Sequence, residues 1–283
     1  MFHLGTAGAW RGEPCGESWY SWNSNGISTA PPERVCLDKL VNGVVTGDYL
    51  EALAEKARLD EVDGRVWLLF NEPDIHGESE YMGDPLTAAR WYHKAYWALK
   101  DARPDVIVGG PNHYMTGHDL WPTPEDPMPT EPYGVWVREF IQHLHRRNLN
   151  TGRHAKLEII AMHDYWGRYH DRALEVVDWK RLEDHIAWWR IKAANNTCIE
   201  ADAPVWITET GILWIMPEQD DTSEFMAALL AWLGEKAEAL GIERCYWFVS
   251  YDSGWWANVS NTCLYNPEGE LTAIGEQWKA ASE

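Results

Sequence analysis

The sequence predicts an α/β fold built on a parallel sheet, and three observations carry that expectation. From Asp48 onward, helical and strand-like stretches alternate to the C-terminus. The strand-like stretches are short, continuous and apolar, as parallel strands covered on both faces are. No linker or change of composition interrupts them, so residues 1–283 are expected to form a single domain. Such alternation implies right-handed crossovers between parallel strands, which either a closed barrel or an open doubly wound sheet would satisfy. No glycine-rich phosphate loop follows any strand, which counts against an open nucleotide-binding sheet. A compact (β/α)8 barrel, which needs about 250 residues, fits the length.

The elements follow in order. Residues before 48 are punctuated by Gly and Pro. Short strands are expected at Phe2 to Leu4, at Ser18 to Asn23, and at either Arg34 to Leu37 or Val41 to Thr46. This makes the N-terminal βα units abbreviated. Leu50, Leu53, Ala54 and Ala57 lie at helical spacing with Asp48 as the cap. Asp63-Gly64 turns the chain into the run Val66 to Phe70, which Asn71-Glu72-Pro73 ends. Asp84-Pro85 opens a helix that stops at Pro104. Val106 to Gly110 is a strand leading to Asn112 and His113. A proline-rich loop, 121–133, has the length of a binding loop. A helix around Val137, Phe140, Ile141 and Leu144 follows, then a strand from Leu157 to His163. A long helix from Leu174 to Asn195 leads to a strand, Val205 to Glu209. The stripe Phe225, Ala228, Leu229, Trp232 and Leu233 marks another helix. Arg244 to Ser250 is the last strand, and Thr272 to Ala281 the closing helix.

The formal charge of -20 argues against nucleic acid or an anionic membrane surface as a partner. No stretch reads as a transmembrane helix, and Met1 to Ala9 lacks the pattern of a signal peptide. The 19 tryptophans exceed what a core requires. Most are expected to fill the space between sheet and helices, and a few to stack on the C–H faces of sugars. The five cysteines show no CxxC, so neither a zinc site nor a redox motif is expected. His118-Asp119 and His163-Asp164 give no HxH or HExxH spacing, and no metal or other cofactor is expected. Asn195-Asn196-Thr197 and Asn258-Val259-Ser260 fit the glycosylation pattern without deciding location.

The chemistry is expected at the strand C-termini, where barrels place their functional residues. Those tips hold Asn71, Glu72, Asn112, His113, His163, Tyr165, Glu209, Trp247 and Tyr251. Two glutamates delivered by two strands from one end match glycoside hydrolysis, in which one carboxyl protonates the leaving oxygen while the other attacks or activates water. Asn71 could bond a neighbouring sugar hydroxyl, and Tyr165 could hold a nucleophile in its charged form. Structural readings stand beside these. Glu72 could cap a helix, Glu209 could be a buried ion-pair partner, His163 could be a satisfied core histidine, and Asn112 and His113 could shape a turn. The tandem Trp255-Trp256 beyond the last strand is hard to explain by core filling and is expected as a sugar platform. Trp121 and Trp166 could serve as platforms or as loop plugs.

Asn71-Glu72-Pro73 at one strand end and Thr208-Glu209 at a later one resemble the clan A retaining glycoside hydrolases, which are (β/α)8 TIM barrels. The resemblance covers residues 65–281. It implies Glu72 as acid/base on the fourth strand and Glu209 as nucleophile on the seventh, provided three strands precede Val66. His163-Asp164-Tyr165 resembles the clan's histidine–x–tyrosine on strand six, whose tyrosine contacts the nucleophile. Trp247 resembles the aromatic that ends strand eight and floors the sugar site. Asn71 to Asp74 and the ending Gly269 to Gly275 are similar to family 128, small β-1,3-glucanases, whereas Val108 to Pro111 resembles family 39. The resemblance implies an endo-acting, retaining β-glycosidase, with β-1,3-glucan favoured and mannan, xylan or cellulose-type chains as alternatives. A carbohydrate-binding barrel without turnover is the rival from another class. A monomer acting outside the cell on an oligo- or polysaccharide is expected.

Overall fold

The computed structural model describes residues 3–7, 18–21, 34–38, 47–58, 66–74, 84–114, 135–166, 179–212, 219–248 and 260–283. Among the described residues three strands precede Val66: β1 (His3–Ala7), β2 (Ser18–Ser21) and β3 (Arg34–Asp38). Helix α1 (Gly47–Arg58) leads to β4 (Val66–Leu69), and α2 (Pro85–Ala102) to β5 (Ile107–Gly109) and β6 (His113–Tyr114). Then come α3 (Val135–Thr151), β7 (Ile160–Trp166), α4 (Trp179–Asn195), β8 (Val205–Ile212), α5 (Gln219–Leu240), β9 (Ile242–Phe248) and α6 (Ala273–Ser282).

Every pairing among these nine strands is parallel. The hydrogen-bonded order is β5-β4-β3-β2-β1-β9-β8-β7-β6. Its two ends, β5 and β6, are halves of one stretch, 107–114, interrupted where Pro111 has no N–H to give. The first half pairs with β4 and the second with β7. A bridge between Gly109 and Ile159, and a bond from Glu158 N to Val108 O (2.9 Å), join the same stretch to the approach to β7. Counting β5 and β6 as one strand, the order returns on itself as an eight-stranded ring. Glu158 also closes this seam through its side chain. One carboxylate oxygen accepts from Val108 N (2.7 Å), and the other from Lys100 Nζ (2.7 Å) and the Tyr96 hydroxyl (3.3 Å).

The sequence explains the local choices. Asp84 caps α2, its carboxylate accepting from the N–H groups of Leu86 and Thr87, with Pro85 at the first position, where its missing N–H costs nothing. Thr272 caps α6 through Gly275 N. Gly110, at φ 103°, passes so close to β4 that a Cβ would stand 2.3 Å from Leu69 O. Only glycine permits both the angle and the approach.

The core fills the layer between barrel and helices. Phe70 meets Tyr92 of α2, Tyr92 meets Phe140 of α3, and Trp247 packs on Phe225 of α5 and Trp278 of α6. Trp67, Trp189, Trp247 and Trp278 are fully buried, as a core-filling role requires. Arg190 of α4 ties down two loop ends by donating to the carbonyls of Ala203, Leu240 and Gly241.

Some boundaries differ from expectation. Helix α1 begins at Gly47, so Asp48 lies inside its first turn rather than capping it. Helix α4 is described from Trp179, and the expected start at Leu174 lies outside the described residues. Strands β7 and β8 continue past His163 and Glu209 to Trp166 and Ile212, because Tyr165 and Gly211 still pair across them. The third strand is the Arg34 choice; Val41 to Thr46 lies outside the described residues. Among those residues no helix is long and apolar enough to cross a membrane.

Candidate active site

The C-terminal ends of β4, β7 and β8 bring Glu72, His163, Tyr165 and Glu209 together. Glu72 is 9% exposed and Glu209 3%, and His163 is fully buried. His163 Nδ1 stands 2.9 Å from Glu72 Oε1 and 3.4 Å from Glu209 Oε2. The Tyr165 hydroxyl donates to Glu209 Oε2. One oxygen from each glutamate and a ring nitrogen of His163 lie within 4.8 Å of one another. These three could also hold a metal ion, but Glu72 and His163 are already hydrogen-bonded to each other, and Glu209 to Tyr165.

The backbone at the tip of β4 is strained to place Glu72. Phe70 has φ 66° and Glu72 φ 46°, a left-handed region that costs non-glycine residues of order 1–3 kcal/mol each. Asn112 holds this shape. Its N–H and its side-chain amide both donate to Phe70 O (3.1 and 2.9 Å), and its carbonyl accepts from Glu72 N (2.8 Å). Asn71 and Asn112 form a parallel bridge. Asn112 is fully buried and clamps the Glu72 turn, which agrees with its turn-shaping reading rather than with a contact to sugar.

Burial opposes a charge on His163. The nearby charge of Glu209, the bond and charge of Glu72, and the charge of Asp74 outweigh it and raise the pKa above 6.5. Behind it, His113 points toward α4 instead of the site. Its Nε2 lies 3.5 Å from Nε2 of His185, which accepts from the Trp189 indole (3.2 Å). Burial pushes His113 down to about 4, and the His163 charge adds to the effect. Asp164, between His163 and Tyr165 in sequence, also faces α4 and pairs with Arg181 (3.3 Å).

The structure does not bring Trp247 to the mouth. Its indole is fully buried between Phe225 and Trp278, and its N–H donates to Thr262 O (2.8 Å). Strand alternation assigns the inward position to the next residue. Phe248 meets the Tyr165 ring edge-on at 5.8 Å, 4% exposed. The run Tyr246-Trp247-Phe248 contained this aromatic, but which member faces inward depends on register. Asn71 is buried beside Glu72. Trp255 and Trp256, like Trp121, lie outside the described residues, as does the Trp166 side chain.

Comparison with known proteins agrees with this fold. No curated protein sequence matches the chain. Among solved structures, a family 128 (subgroup II) endo-β-1,3-glucanase from Pseudomonas viridiflava superposes with a TM-score of 0.61 at 16% identity. The match covers 98% of this chain and 97% of that one. A family 128 (subgroup I) endo-β-1,3-glucanase from Amycolatopsis mediterranei gives 0.58 at 18% identity, over 94% and 91% of the two chains. A monomeric β-xylosidase from Caulobacter crescentus gives 0.56 at 14% identity, over 82% of this chain and 46% of that one. At these identities the likeness is one of fold, and it agrees with the resemblance to families 128 and 39 read from the sequence. The sequence profile described as the glycosyl hydrolase catalytic core matches residues 16–278. The chain therefore belongs to the glycosyl hydrolase catalytic core family and is a glycoside hydrolase.

Proposed function

We propose that the enzyme is a retaining, endo-acting β-glycosidase, with β-1,3-glucan the favoured substrate. One observation carries the mechanistic part: a carboxylate oxygen of Glu72 and one of Glu209 lie within 4.8 Å of each other. Retaining enzymes hold the two carboxyls about 5–5.5 Å apart, whereas inverting ones leave about 6.5–9.5 Å for a water. The substrate rests on fold likeness to the two endo-β-1,3-glucanases.

In the first step Glu209 attacks the anomeric carbon and the glycosidic C–O bond breaks. Glu72 gives its proton to the departing sugar oxygen. In the second step Glu72 takes a proton from water, the water oxygen attacks the same carbon, and the bond to Glu209 breaks. Glu209 Oε2 is engaged by Tyr165 and faces His163, so this reading assigns the attack to Oε1. Tyr165 stabilises the carboxylate that the second step regenerates. His163, between the two glutamates, steadies the carboxylate of Glu209 before the first step and that of Glu72 after it.

Product analysis on a panel of β-glucans, mannans and xylans tests the substrate. Release of oligosaccharides from β-1,3-glucan is expected, and activity confined to xylan or mannan would overturn that choice. Glu72→Gln and Glu209→Gln are each expected to abolish nearly all hydrolysis. Turnover at the native rate in either variant contradicts the assignment.

A further inference from the structure

Between Ile207 and Thr210, strand β8 carries one residue more than β7 and β9 on either side, after a one-residue shift the other way against β9 between Val205 and Trp206. Against β7 the register steps from Met162–Ile207 directly to His163–Glu209. Against β9 it steps from Ile207–Cys245 to Thr210–Trp247, again one residue longer on β8. The residue passed over opposite β7 is Thr208. This is a β-bulge, which re-aims the side chains beyond it.

The bulge decides where Glu209 points. In a regular strand Ile207 and Glu209 would face the same way, because side chains alternate with a period of two. The row of Ile207 faces the helices. Two residues beyond its partners Met162 and Cys245 stand Asp164, which pairs with Arg181 of α4, and Trp247, which packs on Trp278 of α6. Without the extra residue, Glu209 would join that outer row. With it, Glu209 stands in the row of His163 and faces Glu72.

Thr208 sits at the step. It is fully buried, and its hydroxyl donates to Met162 O at 3.0 Å, the carbonyl of the residue where the register jumps. We propose that Thr208 is a positioning residue whose hydroxyl holds the bulge that turns Glu209 into the barrel. The proposal rests on the reading of Glu209 as nucleophile and adds a device that the pair of glutamates does not reveal.

The test compares Thr208→Val, which keeps the shape and loses the hydroxyl, with Thr208→Ser, which keeps the hydroxyl. The readouts are kcat and KM on a soluble β-1,3-glucan, and the rate at which a 2-deoxy-2-fluoroglucosyl fluoride labels Glu209. A geometric displacement of this kind predicts a loss of about 100-fold in kcat and labelling rate for the valine variant, with KM within about 3-fold and the serine variant close to wild type. Labelling of Thr208→Val at the native rate would overturn the proposal, and so would a serine variant as slow as the valine one. Should the valine variant fail to fold, Thr208→Ala against Thr208→Ser is judged on the same readouts. Native turnover by Glu209→Gln would strike the underlying reading. A fully active Thr208→Val beside an inactive Glu209→Gln would strike only the positioning role.

Discussion

His163 Nδ1 lies 2.9 Å from Oε1 of Glu72, joining the histidine of β7 to the glutamate beyond β4 across 91 positions of sequence. Glu209 approaches the same nitrogen at 3.4 Å. The ring is a fully buried base between two buried acids, which gives it a pH signature. Its pKa is raised above 6.5: burial opposes the charge, while Glu209, Glu72 and Asp74 favour it. A raised pKa stabilises the fold fully below the unfolded value of about 6.5, and that contribution is lost as pH rises through the folded value. Urea unfolding of wild type and His163→Gln is therefore expected to show a stability difference that shrinks in wild type's disfavour as pH climbs above about 6.5. A difference independent of pH would contradict the assigned charge.

Tyr165→Phe removes the hydroxyl that donates to Glu209 Oε2. A hydrogen bond to a charged group contributes about 1.5–3 kcal/mol. Deglycosylation regenerates the free carboxylate and should feel its loss. Stopped-flow kinetics on an activated aryl glycoside are expected to show kcat lower by about 10- to 100-fold. An unchanged kcat would remove Tyr165 from the mechanism.

Phe248 takes the place beside Tyr165 that the resemblance implied for Trp247, which is buried in the core. Trp247→Leu is expected to lower stability by about 3 kcal/mol, in line with large-to-small core substitutions, and to leave KM near native. Phe248→Ala should raise KM while costing less stability. Thermal unfolding with Michaelis kinetics on both variants separates the two, and a raised KM in Trp247→Leu at native stability would reverse the placement.

At the seam of the barrel, Glu158→Leu leaves Val108 N–H and Lys100 without their carboxylate. Breaking a largely buried pair from one side is expected to cost about 3 kcal/mol. Because the remaining charge carries much of that cost, the double variant Lys100→Met/Glu158→Leu should lose less than the sum of the single losses. Strict additivity in urea unfolding would show that the two residues act separately.

The barrel was legible because its signals are local. Each apolar run from Val66 onward became a strand, and each periodic stretch a helix, since burial on both faces leaves an unmistakable pattern. The proximity of Glu72 and Glu209 was legible because both stand at the same end of apolar strands that run in parallel. What eluded sequence reading depends on register, which is a property of two strands at once. The bulge at Thr208 turns Glu209 inward, and the frame of β9 sends Phe248 instead of Trp247 toward Tyr165. Asn112 could be read as a turn former, but its grip on Phe70 and Glu72 exists because β4 and the 107–114 stretch lie side by side.

The central claim is that Glu209 attacks the anomeric carbon and Glu72 shuttles the proton. Proton NMR of the first sugars released from β-1,3-glucan, recorded before mutarotation, tests it most directly. The spacing of the two carboxylates predicts that the new reducing ends appear in the β configuration. Initial release in the α configuration would mean a single displacement by water, and would contradict the nucleophilic role of Glu209.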